Sequence, residues 1–180
     1  MLDEYTAYLN GDWMPFSEVR VDPLDRGFVN GDVVFDVERT FAGKSFRMKQ
    51  HIDRLYRSLK YVRIDPGLSA DEMLDISEEA IRRNEHLRDE AGDFTIAQFV
   101  TRGKGRAYDA GPPTVCVKIG TINFSRYAEQ YETGMNGVIT RTRSYSPEAL
   151  DPKIKHYSRM NFNLAEIEAN DMDAGALPIL

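Results

Sequence analysis

Cysteine is almost missing from this sequence, since Cys116 is the single one among 180 residues. A disulfide within the chain is therefore excluded, and the apolar alternation around Cys116 is typical of a buried strand position. Long apolar runs are missing as well, and the N-terminal segment has neither the basic start nor the apolar stretch of a secretory signal. We therefore expect a cytoplasmic protein that does not act in a membrane.

Positive charge is outnumbered by negative charge. The sequence has 23 Lys and Arg residues against 29 Asp and Glu residues, a formal net charge of -6. A polyanion would be repelled overall, so nucleic acid is not expected as a partner. The three histidines, His51, His86 and His156, are scattered and show no paired ligand spacing. No metal site is expected from them.

The remaining composition is that of a globular protein, with 42% hydrophobic and 29% charged residues. The length suits one ordinary domain, or one small domain and the start of another. No internal repeat or low-complexity tract is visible.

Two hairpins are predicted near the N-terminus. Asn10-Gly11 supplies a two-residue turn, and Ala42-Gly43-Lys44 turns the strand at 33–41 into a second strand at 45–48. Alternation along 33–41 assigns two faces to this strand. One face carries Val33, Phe35, Val37, Arg39 and Phe41, and the other carries Val34, Asp36, Glu38 and Thr40.

Helical spacing follows the second hairpin. Apolar residues at three- and four-residue intervals predict one helix through Ile52, Leu55, Leu59 and Val62. Ser69 and Glu72 have the form of a capping box that starts a second helix, ending near Leu87. Further strands are predicted at 94–101, 114–120 and 135–142. The pattern indicates an α+β fold, an antiparallel sheet with two helices on one face.

A segment with two prolines, residues 144–152, is typical of a linker between domains. We therefore predict an N-terminal α+β domain at 1–143 and the beginning of a C-terminal α/β domain at 153–180. A helix is predicted to stop near Gly175, followed by an apolar strand at 176–180. A strand at the terminus would leave an unpaired edge, so the chain is expected to be cut short.

The segment around Lys155 resembles the cofactor-lysine segment of class IV, or fold-type-IV, aminotransferases. It reads Asp-Pro-Lys-Ile-Lys-His-Tyr at 151–157 and continues into a helix with Glu168-Ala169. The resemblance implies that Lys155 forms a Schiff base with pyridoxal 5'-phosphate (PLP) and then moves the substrate's proton. Lys153 is the competing lysine, and the spacing to Glu168-Ala169 favours Lys155.

A second match lies upstream, at Asp25-Arg26-Gly27-Phe28, at 31–36 and at His51-Ile52-Asp53-Arg54-Leu55. This string is similar to the N-terminal domain of the same family. The resemblance implies that Arg54 grips the cofactor phosphate, because a guanidinium can engage a phosphate with two donors at once. The alternative for Arg54 is a surface ion pair with Asp53.

The third match concerns the substrate. Residues 100–108 are similar to the loop of D-amino-acid aminotransferases that binds the substrate carboxylate, which suggests Arg106 and Tyr108 as donors. Arg39 is the other candidate anion binder. Phe35 occupies the position where some relatives place a tyrosine near the substrate.

The family resemblance implies a PLP-dependent transaminase that moves an amino group between an amino acid or amine and a 2-oxo acid. D-amino acids, branched-chain amino acids and R-amines all remain open as donors, and Phe35-Asp36-Val37 departs from the branched-chain Phe-Glu-Gly string. The alternatives are a PLP lyase of the aminodeoxychorismate type and a non-catalytic N-terminal fragment. A homodimer is expected by the same resemblance.

Overall fold

The computed structural model describes residues 4–88, 92–122 and 124–180. Contacts between Cα atoms divide the chain into two compact units. The first consists of Met1–Ile122 and Lys153–Tyr157, and the second of Asn123–Pro152 and Ser158–Leu180. The segment with the predicted cofactor lysine thus belongs to the first unit. The domain boundaries predicted from the sequence remain a prediction.

The first unit is built on a six-stranded sheet. Its strands are β1 (Thr6–Leu9), β2 (Asp12–Pro15), β3 (Val33–Phe41), β4 (Lys44–Ser45), β5 (Phe94–Thr101) and β8 (Val115–Thr121). They lie in the order β2-β1-β8-β5-β3-β4, and neighbouring strands pair antiparallel. A separate small hairpin is formed by β6 (Gly105–Arg106) and β7 (Asp109–Ala110). The antiparallel sheet expected from the sequence is confirmed.

Both predicted hairpins are present. Asn10 and Gly11 take positive φ angles of 51° and 108°, and Ala42 and Gly43 do the same in the second turn, at 50° and 78°. The strand predicted at 45–48 is shorter than expected. It ends at Ser45, because the backbone turns at Arg47 (φ 55°) to start a helix at Met48.

Two helices cover one face of this sheet, as predicted. Helix α2 (Met48–Val62) packs on β3, and α3 (Ala70–Asn84) packs on β1, β5 and β8. The capping box is formed, since the Ser69 hydroxyl accepts from the Glu72 backbone N–H and the Glu72 carboxylate accepts from the Ser69 backbone N–H. A short helix, α1 (Arg26–Asn30), precedes β3, and single 3-10 turns occupy Phe16–Glu18 and Glu85–Leu87.

The second unit contains α4 (Ser125–Ala128), α5 (Gln130–Thr133), β9 (Gly137–Ile139), α6 (Met160–Met172) and β10 (Leu177–Ile179). The strand predicted at 135–142 is shorter, and it does not join the antiparallel sheet. It pairs in parallel with β10, whose Leu177 lies opposite Gly137. The predicted strand at 176–180 therefore has a partner on one edge. Glu168 of α6 accepts hydrogen bonds from the backbone N–H groups of Arg141 and Thr142.

Among the helices of the described residues, none has both the length and the apolar character that crossing a bilayer requires.

Candidate functional site

The outer edge of β3 is the feature on which the candidate site is built. The inner edge pairs with β5 from Val33 opposite Thr101 to Arg39 opposite Thr95. On the outer edge, β4 pairs with the last two residues of β3, and His156 pairs with Val34. Between these partners, residues 36–38 have no strand beside them among the described residues.

The Lys155 segment lies along the first part of this edge. The Phe35 backbone N–H donates to the Lys155 carbonyl at 3.0 Å, and the Tyr157 N–H donates to the Val33 carbonyl at 3.2 Å. Because side chains opposite each other across a β-bridge lie on the same face, this register puts Lys155 and Tyr157 on the face that carries Phe35. The side-chain contacts agree with it, since Lys155 Nζ lies 4.3 Å from the Phe35 ring centroid.

That face is aromatic. The Phe35 and Tyr157 rings stack with their centroids 4.1 Å apart, and the Phe99 and Tyr157 centroids are 6.3 Å apart. A cavity of about 310 Å³ adjoins them, with Val33 and Phe28 among its lining residues. Partial burial raises the pKa of the Tyr157 hydroxyl. An apolar wall of this kind suits the flat ring or the side chain of a small organic ligand.

The opposite face of β3 is charged, although helices cover it. Asp36 is fully buried, and both of its carboxylate oxygens are held by Arg54, with Nε donating to Oδ2 at 2.7 Å and Nη2 to Oδ1 at 2.6 Å. His51 Nδ1 lies 2.9 Å from Asp36 Oδ1. Burial by itself would raise the pKa of Asp36, but the hydrogen bonds from Arg54 and His51 outweigh it and hold the pKa below its usual range.

Arg54 keeps one end of its guanidinium available. Its Nη1 has no hydrogen-bond partner among the described residues, and 43% of the side chain is exposed. The surface pairing with Asp53 that the sequence left open is not formed, because Asp53 pairs with Lys49. Asp36 therefore holds the guanidinium through Nε and Nη2, while Nη1 on its other side can donate to an anion.

Lys155 and Arg54 lie on opposite faces of β3 but beside consecutive residues. The Lys155 segment pairs with Phe35, and Arg54 binds Asp36, whose Cα atom is about 3.8 Å from that of Phe35. A ligand in the middle of the sheet could not touch both groups. A ligand bound by both would have to lie at the edge of β3 at 36–38, with the two side chains extending around that edge from opposite faces.

The predicted substrate residues are not gathered at one place. Phe35 faces Lys155, whereas Arg39 lies four residues along the strand, or about 13 Å away, with its guanidinium 3.9 Å from the Phe41 ring and 3.7 Å from Asp93. Arg106 and Tyr108 occupy the exposed β6–β7 hairpin, where Arg106 Nη1 donates to the Tyr108 hydroxyl at 2.6 Å. Their roles remain predictions.

Sequence reasoning missed Asp36 as the anchor of Arg54 and Tyr157 as the stacking partner of Phe35. A signal for Asp36 was present, since Asp36 and Glu38 share one face of a strand followed by two amphipathic helices. A buried carboxylate needs a cationic partner, and Arg54 is near in sequence. No comparable signal marks Tyr157, because Phe35, on which its ring stacks, lies 122 positions away in the sequence.

The fold belongs to a known class. The structure of the branched-chain amino acid aminotransferase from Escherichia coli superposes with a TM-score of 0.83 at 19% identity, covering 98% of this chain and 60% of that one. The T.th. branched-chain amino acid aminotransferase with pyridoxamine 5'-phosphate gives a TM-score of 0.80 at 21% identity, with 96% and 58% covered. Solved fold-type-IV aminotransferases thus share this architecture.

The family itself is shown by sequence. The model of the class IV amino-transferases matches residues 33–176, and the chain belongs to that family. Its members depend on PLP. A putative branched-chain-amino-acid aminotransferase from Methanocaldococcus jannaschii is 34% identical over 168 residues, covering 91% of this chain and 55% of the relative. A D-alanine aminotransferase from Staphylococcus aureus (strain N315) is 31% identical over 134 residues, covering 73% and 46%. The chain thus spans about half the length of these relatives.

Proposed function

We propose that this chain supplies the catalytic lysine and the N-terminal phosphate-binding arginine of a PLP-dependent transaminase. The observation that carries the proposal is the pairing of the Lys155 segment with β3 at Phe35, next to the Asp36 that holds Arg54. An amine and a partly exposed guanidinium at one open edge fit the aldehyde and the phosphate of PLP. When bound, PLP supplies the electron-withdrawing ring that amino-group transfer requires.

The residues of the chain divide the work by chemistry. Lys155 Nζ would hold the cofactor and then take and return the proton at the substrate Cα. Arg54 Nη1 would bind the phosphate. Phe35 and Tyr157 would form the apolar wall beside the reacting carbon, and Arg106 with Tyr108 would donate to the substrate carboxylate. Arg39 is the second choice for that role, because Asp93 and Phe41 already engage it.

The substrates we propose are an amino acid, either D-configured or branched-chain, or an R-amine, with a 2-oxo acid as acceptor. The relatives named as branched-chain and D-alanine aminotransferases support the first two classes. We also propose a cytoplasmic homodimer, and sedimentation of the purified protein would test its dimeric state. An assay panel of D-amino acids, branched-chain L-amino acids and R-amines separates the donor classes.

Lys155 is tested by trapping. Purified protein is incubated with PLP, the visible absorbance is recorded, and borohydride reduction is followed by peptide mapping. We expect the label on Lys155, loss of the label in Lys155→Ala, and its retention in the control Lys153→Ala. A label on any other lysine would contradict the assignment.

Arg54 is tested by cofactor affinity. Arg54→Gln removes the charged donor and should weaken PLP binding by roughly 10- to 100-fold, the value of one charge-assisted hydrogen bond. The control is Arg57→Gln, an exposed arginine on the same helix. Equal affinities for the two variants would refute the role of Arg54.

A further inference from the structure

A second buried carboxyl group lies on the charged face of β3, two residues from Asp36. Glu38 is 4% exposed and Gln98, on β5, is fully buried. The Gln98 amide Nε2 donates to Glu38 Oε1 at 2.8 Å and to the Ser77 hydroxyl at 3.0 Å. Both of its N–H groups are therefore satisfied.

Two oxygen atoms of this pair are not satisfied. Glu38 Oε2 and Gln98 Oε1 are buried and have no hydrogen-bond partner among the described residues. With Glu38 ionised, both atoms would be acceptors, and a buried acceptor without a donor is costly. A proton on Glu38 Oε2 would turn that oxygen into a donor, and Gln98 Oε1 is the orphaned acceptor on the amide that already binds this carboxyl group. In that arrangement the carboxylic acid and the carboxamide would share two reciprocal hydrogen bonds, and both oxygens would be satisfied.

The charges around Glu38 also favour the protonated form. On its own strand lies the Asp36 carboxylate, and on α3 lies Glu78. On α2, the Arg54 guanidinium and the His51 ring are both engaged with Asp36. Burial is the main reason that the pKa of Glu38 is raised to about 8, and repulsion from Asp36 and Glu78 adds to it. The hydrogen bond from Gln98 acts in the opposite direction and offsets only part of this rise.

We propose that Glu38 is a positioning residue for Arg54. Its carboxyl group holds a proton on Oε2, donates it in a hydrogen bond to Gln98 Oε1, and so leaves Asp36 as the single carboxylate that faces the Arg54 guanidinium. Only the anion-binding task given to Arg54 rests on the proposed function. The protonated pair stands on the geometry of Glu38 and Gln98.

Loss of the Glu38 proton would change the electrostatic potential at the Arg54 guanidinium. A second negative charge beside Asp36 lowers the positive potential that Arg54 Nη1 offers to an incoming anion. Anion binding at Arg54 should therefore weaken as Glu38 ionises. The arrangement makes the site sensitive to alkaline pH through a residue that does not touch the ligand.

The proton is observed directly by infrared spectroscopy of the wild-type chain. A difference spectrum between pH 7 and pH 10 should contain the carbonyl stretch of a protonated carboxylic acid, and the signal should be absent from Glu38→Gln. Exposed carboxyl groups are ionised at both pH values and do not contribute. A wild-type spectrum with carboxylate bands alone would overturn the proposal. This measurement does not depend on whether any variant folds.

The linkage to stability gives a second measurement. Between the ordinary glutamate pKa of 4.5 and the folded value of about 8, the unfolded chain has lost a proton that the folded chain keeps. The unfolding equilibrium constant of the wild type should thus rise with pH, by up to about tenfold per pH unit. Glu38→Gln can form two reciprocal amide hydrogen bonds with Gln98 but has no titrating group at this position. The unfolding equilibrium constant of this variant should therefore rise less with pH than that of the wild type.

Glu18→Gln, which removes an exposed carboxylate of the same unit, is the matched control and should follow the wild type. Parallel pH profiles for the wild type and Glu38→Gln would refute a proton on Glu38.

The effect on Arg54 is read with sulfate, whose charge is constant over this pH range. Sulfate affinity of the wild type should fall between pH 6 and pH 9 and should fall less in Glu38→Gln. Identical pH profiles for the two proteins overturn the positioning role. Absence of sulfate binding at either pH refutes an anion site at Arg54, and with it the positioning role, while the infrared and unfolding results still decide whether Glu38 holds the proton.

Discussion

Phe35 and Asp36 are neighbours in the chain, yet the two faces of β3 on which they lie differ in chemistry. The Phe35 face is aromatic and contacts the amine of the candidate site, Lys155. The Asp36 face is covered by helices and holds two buried acids, the Gln98 amide and the partly exposed Arg54 guanidinium. Strand alternation is the cause, because consecutive side chains point to opposite sides of a sheet.

The difference shows how one strand can present two chemical environments. Under the proposed function, the aromatic wall would exclude water from a reacting carbon, whereas the ion pair with the buried Asp36 would hold the Arg54 guanidinium in a fixed orientation. The two environments meet at the open edge at 36–38. Perturbing one face should therefore leave the other intact, and the following changes test that separation.

Loss of the aromatic wall should have the largest effect on stability. Phe35→Ala removes a 9% exposed ring that stacks on Tyr157 and should lower the free energy of unfolding by about 3 kcal/mol. Urea unfolding measures it. The control Phe28→Ala truncates a ring that is 76% exposed and should change stability by about 0.5 kcal/mol or less. Similar losses in the two variants would mean that Phe35 is not part of the core.

Loss of the buried anion should come next. Asp36→Asn leaves the Arg54 guanidinium, which is partly hydrated, without its counter-charge and should cost about 2 to 3 kcal/mol at pH 7. The control Asp53→Asn breaks an exposed pair with Lys49 worth about 0.5 kcal/mol.

The Asp36 variant also has a pH signature. Because the pKa of Asp36 is lowered in the folded state, the unfolded chain takes up the proton first as the solution is acidified. The contribution of Asp36 is therefore complete above the ordinary value of 3.8 and is lost as the pH falls through the folded value. The gap between wild type and Asp36→Asn should narrow in acid. A gap that does not depend on pH would contradict the assigned ion pair.

The smallest expected change in the free energy of unfolding comes from removing one hydroxyl group beside each face of β3. Ser77→Ala removes the acceptor of a Gln98 N–H in a fully buried position and should cost about 1 to 2 kcal/mol. Tyr157→Phe removes a hydroxyl that has no hydrogen bond with the described residues, and it should change stability by about 0.5 kcal/mol or less. Chemical denaturation of both variants in parallel measures the two changes. A larger loss of unfolding free energy in Tyr157→Phe than in Ser77→Ala would contradict the predicted difference between the two faces.

Much of the fold was predictable because its signals are local. Asn10-Gly11 can form a two-residue turn with positive φ, and Ser69 with Glu72 can close a capping box, within four residues of sequence. The strand at 94–101 was predicted with its observed bounds. The strand at 135–142 was counted with the antiparallel sheet but pairs in parallel with β10, because alternation says nothing of which strand lies beside it.

The sequence proposed the residue types of the candidate site, whose roles remain predictions, but not their arrangement. The motif strings around Lys155 and Arg54 named both residues, and the family match at 33–176 agrees with the resemblance. The contacts that hold them, from Asp36 to Arg54 and from Phe35 to the Lys155 segment, join residues 18 and 120 positions apart. Such contacts depend on how strands and helices pack.

By itself the sequence determined the periodicity of each element, the two faces of β3 and the chemistry that a lysine and an arginine can offer. The tertiary structure decided which groups are buried and which partners each buried group has. Glu38 and Asp36 are both carboxylic acids on one strand face, but the pKa of Asp36 falls beside a guanidinium while that of Glu38 rises beside an amide. Burial raises the pKa of both groups, and only at Asp36 do the hydrogen bonds from Arg54 and His51 outweigh it. These contacts exist only in the folded chain.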